Sequence, residues 1–429
     1  MLCFPSPLFG KSGEGSPGID GALAYRTSVS AQLADGDPVP MQVEAYDTGN
    51  YFTLASPAVM TVPADGIYRV MAGTSSWAAS GTVGVLTRIR RGGSAYYGNG
   101  THRSNAERES NNMPGAPRSH AAGSTPGIVA GSSAFYGVDF GDEKPERTWL
   151  AIERLPDDLK YCIARKNASQ ALSANTVATL TWQVDVVDTN NFHDEASNTS
   201  RMTVPAGVTL VRLVGNLFFA SFSGRAVGRI YKGGSFAHGL PQRCRAGASS
   251  SRNFGLISAP IEVSAGEYFE LQALAAAASS IAEDTGNYFA IEEVSSSLKR
   301  ALVHNSAGHS LTTSFSSMQW DSQVYDTHGM RDGSNPNRLV VPAGCSFARA
   351  IFSLRTPTAD MTAYVRKNGS LQNYAGVAYD EGHSNGSACY VNAASAWLPV
   401  VPGDWFEVRV LGSSAETMST ESWFSLECI

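Results

Sequence analysis

Charge is scarce in this chain. Lys, Arg, Asp and Glu make up 16% of its 429 residues, against roughly 25% in an ordinary soluble protein. The formal net charge of −6 leaves no basic footprint, which argues against nucleic acid as a general partner. Long apolar runs are also missing. The longest candidate, LQALAAAASS from Leu271, soon meets Glu283 and Asp284, well short of the roughly eighteen residues that a spanning helix needs, so no membrane insertion is expected. The N-terminus MLCFPSPLFGKSGEGSPG has neither a basic n-region nor an unbroken apolar h-region, because Pro5 and Pro7 interrupt it. Synthesis in a bacterial host cytoplasm without Sec export is the expectation. Cys3, Cys162, Cys244, Cys345, Cys389 and Cys428 form no CxxC pair and no zinc-type spacing. They are expected as free thiols, with room for one pair among the three in the last third.

A helical period is missing too. Only the Ala-rich segment from Leu271 competes, and its flanks fit a strand and loop. What the chain does have is turn chemistry: 42 glycines, with Ser and Thr in every segment. The length suggests two to four modules, each large enough to fold without metal or disulfide staples.

The stretch DTNNFHDEASNTSRMTVPAG, residues 188–207, resembles a metal site at first reading. It has relatives in YDTGNYFTLASPAVMTVPADG from Tyr46 and YDTHGMRDGSNPNRLVVPAG from Tyr325. Asp47, Asp188 and Asp326 are offset by 141 (188 − 47) and 138 (326 − 188), and Pro63, Pro205 and Pro342 by 142 and 137. The register persists through RIRRGGSAYYG, RIYKGGSFAHG and YVRKNGSLQNY, and through the endings TWLAIERL, NYFAIEEV and SWFSLECI. Such spacing marks a tandem repeat of whole domains. The modules run over 21–155, 158–295 and 298–429, after a leader of residues 1–20 that reads as an anchor arm.

Gly92-Gly93, Gly233-Gly234 and Asn368-Gly369 each tolerate positive φ and predict a tight hairpin. Val-Pro-Ala followed by Gly or Asp-Gly predicts the end of a strand. IYRVMAG, LVRLVGNLFFASF and FARAIFSL then read as buried strands. The fold class is all-β, with three tandem β-sandwich modules.

His193 and Asp194 do not recur in the other two copies, whereas the Asp-Thr step does. A turn before a strand needs that step and a shared metal site does not, so no metal ligand is assigned. Ser, His and Glu occur in GTHRSNAERES and SFSGRAVG, but in no nucleophile-elbow or phosphate-loop pattern. No catalytic or cofactor-binding residue is assigned either. Binding is expected instead on the variable segments after each hairpin: Gly98–Gly127, His238–Gly255 and Asn373–Tyr390. The candidates there are Arg103, Arg108, Arg118, Arg243, Arg245, Arg252 and Tyr379, suited to an anionic glycan or an acidic neighbouring subunit.

The pattern YDTGNYFTLASPAVMTVPADGIYRV resembles the middle of the complement globular-head domain of the tumour-necrosis-factor-like superfamily. Tyr46, Asp47, Pro63, Gly66 and Tyr68 stand in its places. VPGDWFEVRVLGSSAETMSTESWFSLECI resembles its last two strands, with Gly403 and Asp404 at the turn and Trp423 and Phe424 in the closing strand. The resemblance implies a ten-strand jelly roll and threefold assembly, and carries over no catalytic residue. Modules with an RKNG-like hairpin and a VPAG turn also resemble domains of fibre, spike and decoration proteins of tailed bacteriophages.

That analogy implies a structural protein of the virion surface, with other head or tail proteins as partners and a host-surface glycan as a further one. A lectin-like protein outside any virion and a glycan depolymerase are the alternatives. A six-residue linker spans at most ~20 Å, which favours three modules closing on themselves as an intramolecular pseudo-trimer over a stacked homotrimer.

Overall fold

The computed structural model describes residues 18–27, 33–34, 36–78, 86–91, 95–101, 108–130, 134–136, 148–220, 224–247, 252–283, 286–370, 376–384 and 386–429. The described residues form antiparallel β-sheets and contain no helix, as an all-β sandwich protein requires. The Ala-rich segment is a strand, Tyr268–Ala275.

One strand order recurs in each repeat. In the first, Val43–Asp47 pairs with Gly21–Tyr25, then Trp149–Leu155, Gly66–Ala78 and Arg108–Met113. The second reads Val184–Asp188, Tyr161–Arg165, Tyr288–Glu293, Leu210–Phe219 and Arg252–Ile257, and the third Ser322–Asp326, Lys299–His304, Trp423–Cys428, Phe347–Thr356 and Cys389–Ala394. Even the irregularity is shared: the register between the first two strands of each set shifts at Leu23/Ala24, Ile163/Ala164 and Leu302/Val303. A bulge kept at one place three times is a property of the fold, not a local defect.

A second sheet faces each of these. In the second repeat it holds Tyr268–Ala275, Gly224–Lys232 and Gln242–Gly247, and in the third Trp405–Gly412, Met361–Lys367 and Tyr379–Gly382. Trp182, Phe192, Phe219, Phe269 and Phe289 fill the space between the sheets of the second repeat. Tyr51, Phe52, Tyr68, Leu150 and Ile152 belong to the core of the first.

The hairpin chemistry holds where it is described. Gly233 and Gly234 have φ of 57° and 79°, Asn368 and Gly369 of 51° and 71°, with single bridges at Lys232–Ser235 and Lys367–Ser370. Both central residues of a type I′ two-residue hairpin loop need positive φ, which few residue types adopt without strain. Gly92-Gly93 lies outside the described residues.

The Asp-Thr step is an anchor in all three copies. Asp47 accepts the backbone N–H of Gly49, Tyr51 and Phe52. Asp188 accepts those of Asn190, Phe192 and His193, and Asp326 those of His328, Met330 and Arg331. The next residue ties this turn to the opening strand: Thr48, Thr189 and Thr327 each accept one N–H there, at 2.9, 2.9 and 3.0 Å.

The stretch 188–207 is therefore built as a turn. Cys162, Asp185 and Asp188 do gather within 4.8 Å, but both oxygens of Asp188 already accept N–H groups and Asp185 pairs with His193 Nδ1 at 2.7 Å. Asp188→Ala is expected to cost about 2 kcal/mol through the stranded N–H groups. Removing divalent cations with EDTA should leave the urea midpoint of the unsubstituted protein unchanged, and a shift would restore the metal reading.

Candidate functional site

The inner strand of each repeat alternates between two environments, as a strand buried on both faces must. In the second repeat Val211, Leu213 and Leu217 enter the sandwich core, while Arg212 and Asn216, on the opposite face, are also buried. Arg69, Arg212 and Arg349 are the matching arginines, and each lies directly across the ladder from a glutamate: Glu153, Glu292 and Glu427.

These six groups connect the repeats in a cycle. Arg69 pairs with Glu153 and with Glu292 of the second repeat. Arg212 pairs with Glu292 at 3.0 Å and with Glu427 of the third. Arg349 pairs with Glu153 of the first, which closes the circuit. No side chain in it is more than 8% exposed. The sixth link is different. Arg349 lies over the Trp397 ring at 4.4 Å, and its Nη1 and Glu427 Oε1 have no hydrogen-bond partner among the described residues.

Charge is stabilised by charge at Glu153 and Arg212, whereas at Arg349 burial outweighs Glu153 and lowers the value. Burial pushes the Glu153 carboxyl up, but Arg349, Arg69 and Arg212 outweigh it and hold it down at about 2. Burial likewise lowers Arg212, and Glu427 and Glu292 more than compensate, holding it above the usual arginine value. An open row of three repeats would leave Arg349 without a carboxylate partner, since Glu153 would keep Arg69 and Glu427 would keep Arg212, and an unpaired buried ion costs several kcal/mol. Closing the row supplies the missing partner.

Packing around the ring follows the same cycle. Tyr288 donates its hydroxyl to Pro114 O of the first repeat, and Trp423 Nε1 donates to Leu240 O of the second. Tyr46 meets Phe347 edge-on at 5.2 Å between the first and third repeats. Gly239 and Gly376, with φ of 92° and 80°, lie under Leu302 and Leu23 of the neighbouring repeat. An ideal Cβ at these glycines would stand 3.0 and 2.9 Å from those side chains, so the close approach needs glycine.

The described residues of the first two expected binding segments are mostly strand, while those of the third carry strand only at Tyr379–Gly382 and from Cys389 on, so the loop reading is corrected for the first two. Arg103 lies outside the described residues. Arg108, Arg245 and Arg252 are on strands Arg108–Met113, Gln242–Gly247 and Arg252–Ile257, with side chains outside the described ones. Arg118 is half-buried, 5.6 Å over the Tyr288 ring.

Arg243 is fully buried rather than displayed. It pairs with Asp380 of the third repeat and donates to Gly255 O at 3.1 Å. Tyr379 is 5% exposed and donates to Glu381. Both are therefore internal groups, because the strands that carry them are covered by a neighbouring strand or repeat.

Two clefts follow the linkers. One of about 650 Å³ is lined by Asp65, His120, Asp157, Asp158, Lys160 and Thr189. Its counterpart, of about 420 Å³, is lined by Lys232, Glu262, Glu267 and Arg300 among others. A smaller cleft in the third repeat brings Asp360, Glu381 and His383 together. A glycan-cleaving general acid needs a raised pKa. Asp360 is held well below the carboxylate range, first by its hydrogen bond from His383, and Glu381 accepts the Tyr379 hydroxyl.

His238 and His304 stack across the seam between the second and third repeats, with centroids 3.8 Å apart and planes within 19°. Phe236 meets His238 edge-on. Burial and then His304 lower the His238 value to about 4, against the pull of Glu421. Burial also lowers His304, with Asp321 and Arg331 acting in opposite directions. A histidine whose folded value is depressed takes its proton first in the unfolded chain. Stability should therefore fall as pH drops below 6.5 and stop falling on this account near 4. His238→Phe keeps the stack and removes one titrating ring. The fall in urea midpoint between pH 7 and pH 5 is expected to shrink, with His304 and His309, also lowered by burial, supplying the remainder; an unaltered fall would assign the pH dependence elsewhere.

A scan against models of known protein families returns no match, and neither does a search of curated proteins.

Proposed function

We propose that this chain is a structural protein of the virion surface of a tailed phage or phage-like particle, in which three jelly-roll modules close into an intramolecular pseudo-trimer. The observation that carries the closure is the cycle of buried pairs Arg69–Glu292, Arg212–Glu427 and Arg349–Glu153. A homotrimer built from such modules would present three identical seams. Here each seam has its own residues, so each outward face can carry a different sequence and meet a different partner.

The assignment to a particle rests on the resemblance of the repeats to phage fibre, spike and decoration domains, and on a composition rich in turns and poor in charge. Other head or tail proteins are the primary partners in this reading, and a host-surface glycan is a further one. The protein would stabilise the particle or attach it to the host surface. Antibody-gold labelling of purified particles tests this. Label on heads assigns decoration or a spike, and label at tail tips assigns host attachment. Complete particles without label would overturn the proposal in favour of a lectin-like protein.

A further inference from the structure

The five described cysteines are buried and outside any disulfide, and two of them face each other across the seam between the second and third repeats. Cys244 Sγ receives the N–H of Tyr390 at 3.1 Å and lies 3.7 Å from His383 O. Cys389, next to Tyr390, holds its Sγ over Gly382, next to His383: a Cβ at that glycine would stand 2.3 Å from the sulfur. The two sulfurs thus share the space between strands Tyr379–Gly382 and Cys389–Ala394. Cys389 is held well above the usual thiol range, first by burial and next by Cys244 itself.

The backbone around them is fixed from both sides. Asn392 pairs reciprocally with the N–H and O of Ile257, at 2.8 and 3.1 Å, and Arg243 pairs with Asp380. Neither partner can turn away without breaking those bonds.

We propose that Cys244 and Cys389 are an oxidisable pair that forms a disulfide across this seam when the protein meets a peroxide outside a reducing cytoplasm. The oxidant is small enough to enter a buried site, which a bulky disulfide reagent is not. One thiolate attacks the peroxide: an S–O bond forms, the O–O bond breaks, and the departing oxygen leaves as water after taking a proton. The second sulfur then displaces hydroxide from that sulfenic acid, forming S–S and releasing a second water. Two thiols and one hydrogen peroxide give one disulfide and two waters, with two electrons passing from sulfur to oxygen. Because the thiols are buried and their ionisation is suppressed, the reaction is slow, and the cross-link, once made, is protected.

The test is treatment of the full chain with hydrogen peroxide at pH 8, followed by alkylation in denaturant and non-reducing peptide mapping. The expected result is a linked peptide pair carrying Cys244 and Cys389, a chain that still runs as a monomer on a non-reducing denaturing gel, and a Tm raised by about 5 °C. In Cys244→Ala and Cys389→Ala the same treatment should leave Tm unchanged. A map that links only Cys345 to Cys428, cross-links between chains, or consumption of these thiols without a 244–389 peptide would each overturn the proposal.

Discussion

Glu153→Ala should lower the unfolding free energy by about 3–5 kcal/mol, among the largest effects of any single substitution in this chain. The reason is the number of charges that one carboxylate serves. Glu153 pairs with Arg69 on the neighbouring strand and with Arg349 of the third repeat, both buried; its removal leaves Arg349 without a carboxylate partner and Arg69 with Glu292 alone. Urea unfolding followed by tryptophan fluorescence reads the change.

Acid should reproduce part of the effect. Glu153 has its folded value at about 2 against an ordinary 4.5. Its contribution is therefore complete above pH 4.5 and is lost as pH falls through the folded value. That window lies below the one set by His238, so the acid transition should proceed in two stages. Glu153→Ala should have a smaller lower stage and keep the upper, because other carboxylates such as Asp360 and Asp404 are also held low and titrate in the same window. A variant within about 1 kcal/mol of the unsubstituted protein would mean that the ring is hydrated and that its pairs are worth no more than surface pairs.

Arg243→Ala is the second large loss, again about 3–5 kcal/mol, because it takes the guanidinium away from the fully buried Asp380. Arg243→Lys should recover only a fraction, since one ammonium cannot reach both Asp380 and Gly255 O as the guanidinium fork does. If Arg243 instead served an external glycan, both variants would unfold normally and differ only in binding. Differential scanning calorimetry of the two variants separates the outcomes.

Arg243 also shows where sequence reasoning stopped. Turns were legible because their chemistry is local: Asp47, Asp188 and Asp326 recur with a threonine behind them, and Asn368-Gly369 can do little else. The repeat register was legible from the same landmarks, and with it the all-β class. Long-range pairing was not, because nothing local distinguishes an arginine in a polar segment that displays its side chain from one that inserts it into a neighbouring repeat. HGLPQRCRAGASSSRNFG reads as a loop by composition and folds as strands Gln242–Gly247 and Arg252–Ile257 because strands of the third repeat cover it.

The ring itself left a signal that composition alone does not weigh. Each buried strand, IYRVMAG, LVRLVGNLFFASF and FARAIFSL, carries one arginine at the same place, and each closing strand carries one matching glutamate. A lone charge kept in register inside three apolar strands calls for a buried partner of opposite sign, and the partners were already present in the three endings.

The most direct test of the closed ring is the mass of the protein in solution by light scattering coupled to size exclusion, at micromolar concentration and neutral pH. Closure within one chain predicts the mass of a single chain, 45.4 kDa, with no dependence on concentration. A mass three times as large would contradict it, and would place the same arginines and glutamates in seams between chains.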